Sequence, residues 1–288
     1  MKLPPFAYAR AGSVDEALEL LAEGGGEAKL LAGGQSLVPV LAYRLVRPTH
    51  LVDVDGLEGL DGIAELDGEL EIGALVRHVQ LERASLSGAH RLLALAASQI
   101  GHAPIRTRGT LGGSIAHADP AAELPVAALA LDARVVARSL EGEREIPAAA
   151  FVLGPFTTAL EPGEMIVAVR FPAPAERSYA GFREFALRSG DFALASAGVV
   201  VEFDGGGVVS RARIVVGAVE PAPRALDEAA RPLVGGRLDD GAVADAARLA
   251  AASCDPLDDR NVDSAARRDL VAAVVRDALL DIRAQAAA

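Results

Sequence analysis

Short apolar runs punctuated by glycine set the pattern of the first 58 residues. Phe6–Ala9 reads as a short strand. Ser13 followed by Glu16 is a capping box that opens a helix, which carries Leu18, Leu20 and Leu21 inward and stops at Gly24–Gly26. Lys29–Ala32 is a second strand, an apolar segment runs from Leu37 to Tyr43, Arg47–Pro48 breaks it, and Leu51–Val54 is a third strand. This order predicts two right-handed β–α–β crossovers and a small parallel sheet. The end of its middle strand then lies where open α/β sheets bind ligands.

From Gly59 the pattern changes. Ile63–Leu66 and Leu70–Ile72 flank Asp67–Gly68–Glu69 and predict a hairpin with an Asp-Gly turn. Helices are expected near Val76–Ala84, His90–Ala97 and Ala121–Leu131, with strands at Arg134–Ala137, Glu143–Ile146 and Glu164–Phe171. Pro172–Ala175 is the best linker. After it come strands Tyr179–Leu187, Ser196–Phe203 and Ala212–Ala218, then alanine-rich helices near Gly241–Ala252 and Ala265–Ala284. A short antiparallel sheet followed by helices reads as a separate α+β domain. The expected division is therefore residues 1–174, with subdomains 1–58 and 59–174, and residues 175–288. The fold class is α+β with an α/β N-terminal part.

Two glycine pairs stand out. In Ala32-Gly33-Gly34-Gln35-Ser36-Leu37 a strand stops at paired glycines. Such a turn lets a ligand approach the main chain, and its consecutive N–H groups can cradle an anion. The stretch lacks the GxGxxG fingerprint and the Gly-Lys-Ser/Thr of a P-loop, so alone it reads first as an ordinary strand-to-helix turn. A second stretch, Arg106–Pro125, repeats the theme: Thr110, then Gly112–Gly113–Ser114, then the carboxylates Asp119 and Glu123. Two glycine cradles with nearby carboxylates suit a dinucleotide's pyrophosphate and its sugar hydroxyls.

Composition narrows the partners. The net charge is −12 over 288 residues, which disfavours nucleic acid and anionic membranes as partners of the whole surface. The single cysteine, Cys254, forms no internal disulfide and holds no iron–sulfur cluster, and reads as a small buried residue near a helix end. The histidines show no metal-ligand spacing, so no metal is expected. There is no signal peptide and no apolar stretch of transmembrane length, and the expected location is cytoplasmic.

Taken together, AGGQSL at Ala32–Leu37, RPTHLVDV at Arg47–Val54 and IRTRGTLGGSIAHADPAAELP at Ile105–Pro125 resemble the FAD-binding medium subunit of molybdenum hydroxylases, of the carbon-monoxide-dehydrogenase and xanthine-dehydrogenase type. The resemblance continues through Glu164–Phe171, RSGDFA at Arg188–Ala193 and the C-terminal helices. It implies FAD as cofactor and a vanillyl-alcohol-oxidase-like (PCMH-type) fold, in which two N-terminal subdomains hold FAD and a C-terminal domain closes over it.

Residue by residue, the resemblance implies that Ala32, Gly33, Gly34, Gln35, Ser36 and Leu37 line the pyrophosphate. Thr110, Gly112, Gly113 and Ser114 would form the second cradle. Glu123 falls at the acidic position near ribityl or ribose hydroxyls, and Asp119 either joins it or caps the next helix. Ile166 falls where backbone meets the flavin ring, Arg183 where relatives often have lysine, and Phe192 where a side chain lies against the isoalloxazine. No side chain is expected to be an acid or base. The implied partners are a molybdopterin-binding large subunit and a small subunit with [2Fe–2S] clusters, assembled as a dimer of heterotrimers that passes electrons through FAD to an external acceptor. Two other readings fit the residues: a stand-alone FAD-dependent oxidoreductase, or a non-catalytic nucleotide-binding assembly subunit. His117 reads as a packed histidine, and Arg106 and Arg108 as solvated charges ahead of contacts to the cofactor's phosphates or to a partner protein.

Overall fold

A computed structural model describes residues 3–256 and 258–287. The first unit is a three-stranded parallel sheet of β1 (Ala7–Arg10), β2 (Ala28–Leu31) and β3 (His50–Asp53), in the order β1-β3-β2. The connections are α1 (Val14–Glu23) and α2 (Leu37–Ala42). The Ser13 hydroxyl accepts from the Glu16 N–H at 3.1 Å, and Glu16 reaches back to the Gly12 N–H at 2.7 Å, so the capping box forms one residue wider than expected. The order corrects one expectation: the centre of the sheet is β3, and β2 with its glycine turn is an edge. The first crossover, from β1 to β2, leaves a gap between those strands, and the second brings β3 into it, paired in parallel with both.

The second unit is an antiparallel sheet ordered β4-β5-β10-β6-β7, with β4 Ile63–Leu66, β5 Glu69–Gly73, β6 Arg134–Ser139, β7 Gly142–Pro147 and β10 Met165–Phe171. The helices inserted into it are α3 (His78–Arg83), α4 (Arg91–Gln99), α5 (Ala103–Arg106), α6 (Leu111–His117), α7 (Glu123–Ala130) and α8 (Ala148–Phe151). A small hairpin, β8 (Val152–Gly154) and β9 (Thr157–Thr158), follows. The helix expected at Ala121 begins two residues later. Asp119 explains the delay: its Oδ1 accepts from the Ala121 N–H at 2.9 Å, closing a turn ahead of the helix without capping it.

The third sheet is antiparallel, ordered β11-β12-β13-β14, with β11 Ser178–Phe185, β12 Ala195–Phe203, β13 Val209–Gly217 and β14 Arg224–Ala225. On one face lie α10 (Asp240–Ser253) and α11 (Ser264–Ala287), after the one-turn α9 (Asp227–Ala230). On the other face lie α4 and α7 from the preceding segment. This two-sided cover explains why β12 is buried continuously from Ala195 to Val201 and carries no polar face. Ala180, Phe182, Val200 and Val215 share one core with Leu92, Leu124 and Val126, so apolar packing continues across the Pro172–Ala175 segment. Cys254 is buried at the end of α10. Among the described residues, no helix is long and apolar enough to cross a membrane.

Candidate functional site

β2 ends at Leu31 and hands the chain to the loop 32–36 before α2 begins. Gly34 sits at φ +71°, the left-handed region that favours glycine. The Gln35 amide donates to the Gly33 carbonyl at 2.9 Å and holds the loop in shape. Among the described residues, the N–H groups of Gly33, Gly34, Gln35 and Ser36 find no acceptor within the protein. The Ser36 hydroxyl makes no capping bond and is exposed. Four successive free donors around paired glycines form an anion nest.

Beside this nest lies a cavity of about 400 Å³, bordered by Gly33, Gly34, Gln35, Val38, Asp55 and Arg108. Gly33 is the joint of the site. A Cβ there would stand 1.9 Å from the Arg108 carbonyl oxygen, so the loop 32–36 and the loop 106–110 touch backbone to backbone. The Arg77 guanidinium donates to that same carbonyl and pairs with Asp55 at 2.7 Å. Asp53 and Asp55, at the C-terminal end of the central strand, also border the cavity. Asp53 is held by the Tyr8 hydroxyl at 2.5 Å.

Arg106 is a clamp, which corrects the reading of it as a solvated charge. It pairs with Glu82 at 2.9 Å and donates to the Ile100 and Gly101 carbonyls at 3.1 and 3.0 Å. Its side chain is only 15% exposed. Truncation to alanine leaves two carbonyls and a half-buried carboxylate without their donor. Arg106→Ala is expected to cost about 2–4 kcal/mol, seen as a lower urea midpoint at unchanged slope; an unchanged midpoint would remove the clamp. Arg108 is the more exposed of the two, 3.9 Å from Asp55.

The second glycine stretch differs from the first. Gly112–Gly113–Ser114 lies inside α6, which is capped by Thr110: its Oγ1 accepts from the Gly113 N–H at 3.2 Å. The Leu111 and Gly112 N–H groups donate to Val76 and Ala74 at 2.9 and 2.8 Å. These donors are spent inside the protein, so the stretch is a packed helix start and not a second free nest. Gly112 is needed because Ala74 approaches it; a Cβ would meet the Ala74 Cβ at 2.6 Å.

The carboxylates after α6 form a second polar centre. Glu123 opens α7 half-buried, and Glu184 on β11 is also half-buried. Burial pushes the Glu123 carboxyl up to about 8, with the Glu184 charge as the second cause. Burial alone pushes Glu184 up to about 7. One Glu184 oxygen and the Ser196 hydroxyl are buried without a partner.

The remaining expected residues scatter. Ile166 is buried in β10, where the ladder to β6 shifts register between Ile166 and Ala168. Arg183 lies on the α11 side of its strand, held by Asp281 at 2.6 and 2.7 Å. Phe192 is 75% exposed, so it is not part of the core. His117 packs against Phe156 at 5.1 Å, and burial lowers its pKa. Sequence reasoning missed Asp53, Asp55, Arg77 and Glu184. The LVDVD run was visible, but its place at the centre of the sheet was not.

Two families match the chain: "FAD binding domain in molybdopterin dehydrogenase" over residues 4–174 and "CO dehydrogenase flavoprotein C-terminal domain" over residues 180–282. Subunit alpha of the 6-hydroxypseudooxynicotine dehydrogenase complex of Paenarthrobacter nicotinovorans is 46% identical, covering 89% of this chain and 87% of that one. The carbon monoxide dehydrogenase medium chain of Hydrogenophaga pseudoflava is 35% identical over 96% of both chains. A solved structure of carbon monoxide dehydrogenase from that organism superposes with a TM-score of 0.94 at 36% identity, covering 99% of each chain. Quinoline 2-oxidoreductase from Pseudomonas putida 86 superposes with a TM-score of 0.93 at 36% identity, again covering 99% of each chain.

Proposed function

We propose a role that starts from one premise: the chain belongs to the family of FAD-binding medium subunits of molybdenum hydroxylase complexes. FAD is its cofactor, and its relatives are subunits of dehydrogenases and hydroxylases. In this reading the chain is the electron-transfer subunit. It accepts electrons from the [2Fe–2S] clusters of a small partner subunit and passes them to an external acceptor, while a molybdopterin-binding large subunit oxidises the substrate. The complex is a cytoplasmic dimer of heterotrimers, and residues 1–174 and 175–288 are its FAD-binding and closing domains.

The observation that carries the reading is the free N–H nest at Gly33–Ser36 beside a cavity of about 400 Å³. Backbone donors attract a pyrophosphate although the whole protein is acidic, because N–H groups carry no formal charge and the site is local. Ala32 and Leu37 flank that nest. Asp53 and Asp55 stand where sugar hydroxyls need acceptors. Thr110, Gly112, Gly113 and Ser114 supply a rigid wall and an exposed Cα edge in place of a second set of donors. Glu123 and Asp119 face the polyol part of the cofactor, with the Ile166 backbone and Phe192 in the region of the ring, whereas the Arg183 side chain is turned to α11 and held there by Asp281. FAD supplies the redox chemistry when bound; the chain binds it, orients it and excludes water.

A visible spectrum of the purified chain, followed by acid release and chromatography of the flavin, tests the reading. Stoichiometric FAD is expected, and co-expression with the two partner subunits should yield one complex carrying molybdenum and iron. Released FMN would mean that the nest does not hold a pyrophosphate. A chain without flavin even in the complex would favour a non-catalytic assembly role.

A further inference from the structure

Arg108 borders the cavity beside the nest and is held there only loosely. The two other arginines of this corner are committed. Arg106 is spent on Glu82 and two carbonyls. Arg77 is spent on Asp55 and on the Arg108 carbonyl. The Arg108 side chain is 62% exposed and meets Asp55 Oδ2 at 3.9 Å, the outer edge of an ion pair. The other Asp55 oxygen already has Arg77 at 2.7 Å. Asp55 therefore keeps a close partner when Arg108 turns away, and an exposed pair of this length holds a side chain weakly. The backbone beneath is fixed by contrast. The Arg108 carbonyl is pinned by Arg77 and stands against Gly33. The result is a movable cation on a rigid base, rooted where the two loops touch.

Charge gives that cation a task. A pyrophosphate linking two esters brings two negative charges. The N–H groups of Gly33–Ser36 offer hydrogen bonds but no formal charge. Asp53 and Asp55 add negative charge at the border of the same cavity. Asp53 is fixed there: one oxygen accepts from the Tyr8 hydroxyl at 2.5 Å, the other from the Asp55 N–H at 2.9 Å. Among the described residues that border the cavity, Arg108 is the only cation. A doubly charged anion beside two carboxylates is repelled unless a cation joins it. A guanidinium also presents a planar fork that matches phosphate oxygens.

We propose that Arg108 is the charge partner of the cofactor's pyrophosphate, turning from Asp55 onto the phosphates that the 33–36 nest holds. The inference deepens the FAD reading and rests on it. As Arg108 turns, Asp55 Oδ2 is freed to accept a sugar hydroxyl, so one side-chain movement serves both parts of the ligand. The nest sets where the phosphates lie, and Arg108 sets how tightly an acidic protein keeps them.

The test is the dissociation constant of FAD, read from the rise in flavin fluorescence as the holo-chain is diluted, for wild type, Arg108→Gln and Arg108→Lys at low and high salt. Arg108→Gln is expected to weaken binding by about tenfold to a hundredfold at low salt. The gap to wild type should shrink at about 1 M salt, where charges are screened within about 3 Å. Arg108→Lys, which keeps the charge without the fork, should recover most of the loss. Urea midpoints of all three should coincide, because the pair with Asp55 is exposed and long. Equal dissociation constants for wild type and Arg108→Gln at low salt would overturn the proposal and leave the nest reading standing. A loss that is the same at both salt concentrations, or that lysine does not recover, would overturn it as well, since a packing defect behaves in that way. A wild type that holds no FAD, alone or in the complex, would overturn the FAD reading and this inference with it.

Discussion

Gly33→Ala is expected to release FAD and to lower stability by at least about 3 kcal/mol. The argument is steric. The new methyl would stand 1.9 Å from the Arg108 carbonyl oxygen and 2.6 Å from its carbon. Neither is the end of a flexible side chain. The carbonyl is also pinned by Arg77, which Asp55 holds in turn, so the loop 106–110 cannot yield without breaking that chain of contacts. The loops part, and the N–H nest loses its shape.

Gly34→Ala is the control. Its Cβ would meet only the Val38 and Leu31 methyl groups, at 3.2 and 3.3 Å, and the cost of about 1–2 kcal/mol comes from the left-handed backbone. Purification of both variants, with the flavin-to-protein ratio and a urea melt for each, separates the two roles. Gly33→Ala with a full complement of FAD would show that the loop contact does not shape the site. The contrast also refines the sequence-based reasoning, in which a glycine lets the ligand approach: at Gly33 the nearest approach is made by the protein's own backbone.

What was readable in the sequence was local. The capping box, the Asp-Gly hairpin, the strand that stops at Gly33 and the breaks at proline are each fixed within a few residues, and the structure has them in place. The order β1-β3-β2 was not readable, because which strand is central depends on pairings between residues tens of positions apart. The start of α6 was missed for the opposite reason. Thr110 caps it locally, but paired glycines at its first turn weaken every helix signal, and only the approach of Ala74 explains why they are there. Arg106 looked solvated because its partners, Glu82 and the carbonyls at Ile100 and Gly101, are gathered by tertiary packing. Strand alternation hid Glu184 in the same way. Arg183 was the residue singled out, yet the period of two sends it to α11 and turns its neighbour towards Glu123.

That neighbour leads to an alkaline weakness in the fold. Both carboxyls have folded pKa values, about 8 for Glu123 and about 7 for Glu184, above the ordinary 4.5 of an unfolded glutamate. Between roughly pH 5 and 8 the native state therefore binds more protons than the unfolded chain, and stability falls as pH rises through that window. Below it, both carboxyls are neutral in the native state and cost little beyond their buried oxygens. Above it, both are charged while partly buried, and the Glu184 charge acts against that of Glu123. The loss expected between about pH 5 and 9 is on the order of 3 kcal/mol, because the two titrations are coupled and the groups remain in partial contact with water. Glu184→Gln removes one charge and the second cause of the Glu123 shift, and burial, the first cause, remains. The variant should match wild type near pH 5 and exceed it by about 1–2 kcal/mol near pH 9, read as a difference in urea midpoint that grows with pH. Parallel profiles for the two proteins would mean that the carboxyls are solvated in the native state and that nothing at this junction depends on their charge.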